Sequence, residues 1–288
     1  MTRIVVGIDG SVGSERALRW AVNEAARRHA PVVAVLAWGG ADDGATTEVE
    51  RRAAAAGTAD AGLKIDQFVL KALGDAGGGV ERSARRGQPA EVLLGAAVGA
   101  SMLVVGSRGR GGFASLLLGS VSVQCITHGT CPVVVVPGEH TPTPQTTPQR
   151  VVVGVDGSAG GRDALQWAVT EAAFAGASLE VVHVWDMPMA GAYTYATPVF
   201  DWGPFEAAAN TVLDGDVDSV DCSGLASPPE RILATGGAAH AILEAAKEGD
   251  LIVLGSRGRG GFAGLLLGSV GQRVAHHAMC PVVIVPST

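Results

Sequence analysis

Two stretches of this chain carry the residue types that grip an anion. Gly106 to Ser122 (GSRGRGGFASLLLGSVS) returns as Gly255 to Gly271 (GSRGRGGFAGLLLGSVG), and the copies differ only where Ser115 and Ser122 become Gly264 and Gly271. Glycines at 106, 109, 111 and 112 let the backbone take positive φ and bring several N–H groups against phosphate oxygens with no Cβ in the way. Arg108 and Arg110 add charge. Ser120 stands at the start of a short helix, where orphan N–H groups and the positive dipole end favour an anion, and its hydroxyl can donate to the same group. The second copy repeats the set as Gly255, Arg257, Gly258, Arg259, Gly260, Gly261 and Ser269. A core can be rebuilt from many apolar combinations, so close agreement over a surface loop of Gly, Arg and Ser points to something bound outside the core.

A second polar motif precedes each loop in sequence. Ile4 to Ser11 (IVVGIDGS) is answered by Val151 to Ser158 (VVVGVDGS). Asp9 and Asp156 are acceptors, so they suit ribose hydroxyls rather than phosphate; an Asp-Gly-Ser sequence is also an ordinary strand-to-helix turn in which Asp and Ser satisfy backbone groups. Ser120 and Ser269 have a similar second reading as plain helix caps. The adjacent His276 and His277 point about 100° apart on a helix and have no carboxylate at ligand spacing, so no metal site is expected. There is no G-x4-GK[ST] phosphate loop, no evident acidic metal pair beside the glycine loop and no SGGxDS loop after the first strand, so no catalytic residue is assigned. Gly7-x-x-Gly10-x-x-Gly13 has the wrong spacing for a dinucleotide oxidoreductase, and the glycine loop follows the fourth strand instead of the first.

The elements that must position these motifs are read from periodicity. Ile4 to Ile8 is a short apolar strand; a helix over Glu15 to Ala30 follows, with Ser14 as its N-cap and Leu18, Ala21, Val22 and Ala25 on one stripe. Val32 to Trp38 reads as a fully buried second strand. Val80 to Arg85 is a polar candidate for the third; its partner Glu230 to Thr235 is better, and Gly87 and Gly236 close the two. Helices then run from Pro89 to about Ala97 and from Ala238 to about Lys247. Met102 to Val105 is strand four, Ser120 to about Thr127 a short helix, and Val133 to Val136 strand five. Gly39 to Gly79 and Met187 to Pro229 match each other poorly and hold most of the divergence between the halves. Alternating strands and helices imply a parallel sheet with helices on both faces. If the strand order is 3-2-1-4-5, strands one and four flank the reversal point and both polar motifs open on one crevice.

Cys131 to Pro137 (CPVVVVP) also recurs, as Cys280 to Pro286 (CPVVIVP), so a whole domain is duplicated. Each copy has roughly 140 residues, enough for its own core. The expected division is 1–137 and 150–288, joined by a tether over 138–149 (GEHTPTPQTTPQ). A net charge of −7 and a pI near 5.5 argue against general nucleic-acid binding. No run has the length of a membrane span or the shape of a signal peptide, and a cytoplasmic protein is expected. Cys125, Cys131, Cys222 and Cys280 lack ligand spacing; Cys131 and Cys280 read as buried packing, as do Trp20 and Trp167 at equivalent helix positions.

Over nearly its whole length the chain resembles the universal stress protein family, in its tandem two-domain form. The family's nucleotide motif G-x2-G-x9-G-[ST] is met by Gly106, Gly109, Gly119 and Ser120, and again by Gly255, Gly258, Gly268 and Ser269. The resemblance implies two Rossmann-like domains of the adenine nucleotide alpha hydrolase kind. It implies ATP, with or without Mg2+, in each half, Asp9 and Asp156 near the ribose, and Ala37 and Val184 near adenine. The implied binding set is Gly7, Asp9, Ala37, Gly106, Ser107, Arg108, Gly109, Arg110, Gly111, Gly112, Gly119, Ser120 and Val121. Its counterpart is Gly154, Asp156, Val184, Gly255, Ser256, Arg257, Gly258, Arg259, Gly260, Gly261, Gly268, Ser269 and Val270. It also implies pairing of the two halves through their final strands, a further homodimer remaining open, and a regulatory role in the stress response, with slow ATP hydrolysis or group transfer as the alternative. Two departures bear on the pockets: Ser101 stands where the second half has Asp250, and Leu36 where it has His183.

Overall fold

A computed structural model describes residues 2–39, 48–109, 118–138, 147–186, 201–246, 250–259 and 268–287, with the backbone alone over 48–56. The first half runs β1 (Ile4–Ile8), α1 (Val12–Arg28), β2 (Val32–Trp38), α2 (Glu48–Leu73), a 3-10 turn at Gly74–Gly79, β3 (Val80–Arg86), α3 (Pro89–Ala97), β4 (Met102–Gly106), α4 (Ser120–His128) and β5 (Val133–Val136). The second repeats the plan with β6 (Arg150–Val155), α5 (Ala159–Ala175), β7 (Ser178–Trp185), α6 (Gly203–Asp218), β8 (Glu230–Thr235), α7 (Ala238–Ala245), β9 (Leu251–Gly255), α8 (Ser269–His277) and β10 (Val282–Val285). Lys247, and most of the expected tether, lie outside the described residues.

The strand order within each half is 3-2-1-4-5, but the two sheets are not separate. All ten strands form one sheet, β3-β2-β1-β4-β5-β10-β9-β6-β7-β8, parallel throughout except at its centre. There β5 and β10 run antiparallel with Val134 opposite Val283, so each short Val-rich strand covers an edge that would otherwise be open. The apolar core is continuous across the seam. On one face α1, α2, α5 and α6 pack with inward residues such as Leu18, Ile65, Leu165 and Leu213; on the other, α3, α4, α7 and α8 pack with Leu93, Ile126, Ile242 and Val274.

One local reading changes, and two others are filled in. The N-cap of α1 is Ser11, not Ser14: the Ser11 hydroxyl accepts the Ser14 N–H at 3.1 Å, and Ser14 sits inside the first turn. The helix therefore begins at Val12, three residues before the expected start. The third strand is real, and its polarity follows from its place at the sheet edge, where Glu81, Arg82 and Arg85 face outward and discourage further pairing. The divergent stretches contain α2 and α6, the crossovers that a parallel β2–β3 or β7–β8 pair requires.

Burial explains the cysteines. Desolvation pushes the thiols of Cys125 and Cys280 up to about 12 and raises Cys131, whereas Cys222 is only partly buried. Brief alkylation of the native protein at about pH 8, read by mass spectrometry, is expected to label Cys222 and to spare the other three until denaturant is added. Labelling of Cys280 at the Cys222 rate would contradict the packing.

Candidate functional site

Strand β1 ends against a tight turn in which Gly10 takes a φ of 82°, and this turn aims Asp9 at the carboxyl end of the sheet. The Asp9 Oδ1 accepts the Ser11 N–H at 3.0 Å and the Ser11 hydroxyl at 2.6 Å, so the plain turn role is present. In the second half Asp156 Oδ1 accepts the Ser158 N–H at 3.1 Å, and Oδ2 reaches across to accept the Arg259 N–H at 2.6 Å. The aspartate therefore ties the turn after the first strand of its half to the glycine loop after the fourth. A carboxylate has about four lone-pair sites, so a group already holding two N–H donors can still accept from a hydroxyl beside it.

The loop itself is clipped at its two ends. The Ser107 N–H donates to the Val136 carbonyl at 2.8 Å, and the Ser107 carbonyl accepts the Gly119 N–H at 2.7 Å; Ser256, Val285 and Gly268 repeat this at 2.8 Å and 2.8 Å. That closure explains the x9 spacing between the second and third motif glycines, because the chain must leave at Ser107 and return at Gly119. Helix α4 then starts from a glycine N-cap that makes no side-chain cap hydrogen bond, as does α8 at Gly268. Ser120 and Ser269 are the first helical residues and not caps. The first-turn N–H groups and the dipole end thus face the loop without a side-chain acceptor supplied by the cap.

Each half has a cavity at this corner, of about 530 Å³ in the first and about 370 Å³ in the second. Gly7, Asp9, Ala37, Gly106, Arg108, Gly109, Gly119, Ser120 and Val121 line the first; Gly154, Asp156, Val184, Gly255, Arg257, Gly258, Gly268, Ser269 and Val270 line the second. Ser107 and Ser256 are buried and line neither of these two cavities; Arg259 joins through its backbone and not by lining the second. Arg110, Gly111, Gly112, Gly260 and Gly261 lie outside the described residues.

The reason for the second motif glycine differs from the expected one. None of Gly106, Gly109, Gly255 and Gly258 has a positive φ. A Cβ on Gly109 would stand closer than 3.0 Å to the Asp9 carboxylate, and one on Gly258 equally close to that of Asp156. The missing side chain lets the aspartate lie flat against the loop.

The two departures between the halves fall away from the cavities. His183 is buried on the far face of β7, its Nδ1 hydrogen-bonded to the Val155 carbonyl at 2.9 Å, and Leu36 packs into that same face of the core in the first half. Asp250 lies at the opposite end of its strand, paired with Arg150 at 2.5 Å, where Ser101 instead donates its hydroxyl to the Arg3 carbonyl at 3.0 Å. Other differences do reach the cavities, among them Ala37 against Val184 and Val105 against Leu254, which put more carbon into the smaller second one.

Several lining residues escaped the sequence reading. Val35 and Val182 line the cavities two residues before Ala37 and Val184, as the two-residue period of a strand demands, and Leu93 and Ile242 come from α3 and α7. Asp216 was also missed: only 2% exposed on α6, it accepts the Gly157 N–H at 2.8 Å and braces the turn that carries Asp156. An aspartate beside Leu213 and Val217 on a buried stripe was the available signal. Chemically, each cavity combines an apolar slot, a carboxylate acceptor and an anion-favouring helix start. A flat ring, vicinal hydroxyls and a phosphate tail would each find a matching wall.

Comparison with known proteins finds one family twice in the chain. A model of the universal stress protein family matches residues 1–137 and again 148–286. A universal stress protein of Mycolicibacterium smegmatis is 33% identical over 294 residues, covering 98% of this chain and 96% of that protein. One of Mycobacterium tuberculosis is 32% identical over 295 residues, covering 98% and 95%. The solved structure of a universal stress protein from Archaeoglobus fulgidus superposes with a TM-score of 0.65 at 20% identity, over 99% of this chain and 96% of that one, a likeness of fold.

Proposed function

The chain belongs to the universal stress protein family, and on that premise we propose that it is an ATP-binding regulator with one nucleotide site in each half. The observation that carries this reading is the convergence, twice over, of an apolar slot, an aspartate and an uncapped helix start on one cavity. Adenine lies in the slot formed by Val35, Ala37 and Leu93, or by Val182, Val184 and Ile242. The ribose hydroxyls donate to Asp9 or Asp156, and the phosphates lie along the loop toward Ser120 or Ser269 with Arg108 or Arg257 beside them. Mg2+, if it accompanies the nucleotide, would offset phosphate charge, and among the described lining residues Asp9 or Asp156 would be the carboxylate to hold it. A regulator needs occupancy to persist, and among the described lining residues the carboxylates are Asp9 and Asp156, which this reading commits to the ribose.

Incubating the protein with ATP, removing free nucleotide, denaturing and identifying what is released by chromatography tests this directly. Retained ATP is expected. ADP formed well above the uncatalysed rate, and lost in an Asp9→Ala, Asp156→Ala double variant, would replace the regulator reading with slow hydrolysis.

A further inference from the structure

A third cavity, of about 350 Å³, lies between the halves on the far side of the first glycine loop. Arg108 reaches it from that loop, and His276 and His277 from the last turn of α8, so both halves build it. Its remaining walls include Val12, Pro137 and Met279; Val12 and Met279 are 46% and 47% exposed, large apolar side chains left open at a polar site. No Asp or Glu is among its described lining residues.

One of the lining residues also carries an unexplained polar atom, packed behind the cavity wall. The Nε2 of His276 is shut off from solvent and has no hydrogen-bond partner. Such orphans are rare in native structures because each forfeits the hydration it lost on burial, and an absent ion or ligand is one of the standard causes. Burial first, then His277 and Arg108, lower the His276 pKa, so with nothing between them these groups repel. An anion set among them would offset the repulsion from His277 and Arg108, though not the burial. The first half places Thr127 where the second has His276, and the Thr127 hydroxyl donates to the Val123 carbonyl at 2.6 Å, so this arrangement belongs to one side of the molecule.

We propose that the cavity between the halves binds a small organic anion, its phosphate or carboxylate head held by Arg108 and the His276–His277 pair and its apolar body resting on Val12, Pro137 and Met279. The site shares Arg108 and Gly109 with the first nucleotide cavity, but the described linings of the two nucleotide cavities contain no histidine, so the histidine signals report this cavity alone.

Phenyl phosphate is the probe, and histidine side-chain NMR the readout, since the chain has 7 histidines and the two of interest are assigned by His276→Gln and His277→Gln. Saturable shifts of those two signals are expected, with Kd in the millimolar range or tighter, at about −4 kcal/mol or better. The His276 titration should move to higher pH when the probe is bound, because an anion favours the imidazolium. Arg108→Gln should weaken binding about tenfold or more, and phenol, which has the ring without the charge, should not saturate the site. Histidine signals that stay still up to about 10 mM probe, whether or not the probe binds elsewhere, overturn the proposal, as does equal binding by phenol or by Arg108→Gln.

Discussion

Replacing Gly109 and Gly258 together by alanine is expected to lower ATP affinity by about 100-fold or more while the protein stays folded. Each new methyl would fall closer than 3.0 Å to an aspartate carboxylate, Asp9 in one half and Asp156 in the other. Relief requires either the carboxylate or the loop to move, and in the second half their contact is the 2.6 Å hydrogen bond from the Arg259 N–H. Ribose acceptor and phosphate cradle would then be misplaced at once, two interactions of about 1.5 to 3 kcal/mol each if charge-assisted. The fold should survive because Gly109 and Gly258 are exposed beyond the strand ends, and neither uses a positive φ that alanine would strain. Calorimetric titration with ATP, alongside a thermal melt, reads both quantities. Unchanged affinity in a well-folded variant would refute the loop assignment.

The second large effect is expected where the halves meet behind the sheet. Glu24 and Glu171, equivalent residues of α1 and α5, are each 3% exposed and share Arg27 and Arg28. Arg27 reaches Glu24 and Glu171 at 3.0 Å each, Arg28 contacts both carboxylates, and both guanidinium groups stack on Phe174 at 5.0 Å. The duplication is broken here, since both arginines come from the first half and the ring from the second. Arg27→Ala with Arg28→Ala leaves two buried carboxylates without these partners, which should cost about 3 to 5 kcal/mol at neutral pH.

The pH dependence of that loss has a defined sign. Burial first, and then Glu24, raise the Glu171 pKa above its usual 4.5, with the arginines opposing. A carboxyl whose folded pKa exceeds its unfolded one binds protons more tightly when folded, so its contribution to stability is present below the unfolded value and is lost as pH rises through the folded one. Removing the arginines widens that window. Urea unfolding should therefore show a larger deficit at about pH 7.5 than at about pH 5, and an equal deficit at both would contradict the buried cluster.

Much of the site was legible in the sequence because its chemistry is carried by unusual residues at fixed spacing. Asp9, the glycine loop and Ser120 converge as their positions after strands one and four require; alternation gave the parallel sheet, and the order 3-2-1-4-5, taken as a condition, is the one observed. What stayed hidden had physical causes. In α2 the buried stripe Ala61, Ile65, Val69 and Ala72 is accompanied by Leu63 and Leu70, each 63% exposed, which flattens the helical contrast. Strand β3 looked too polar because edge strands carry charge. His183 alternates with Val182 and Val184 on β7 and Asp250 stands just before β9, so the strand period and strand start already put both away from the cavities, which a comparison of equivalent positions alone did not take into account. The reason for Gly109 is a contact between segments one hundred residues apart, which local sequence does not express.

The central claim is two nucleotide sites in one chain, and native mass spectrometry of the intact protein at saturating ATP tests it most directly. Two bound nucleotides per chain are predicted, falling to one when either Gly109→Ala or Gly258→Ala is introduced singly and to none in the double variant. A wild-type chain that carries no nucleotide, or a double variant that still carries two, would contradict the account.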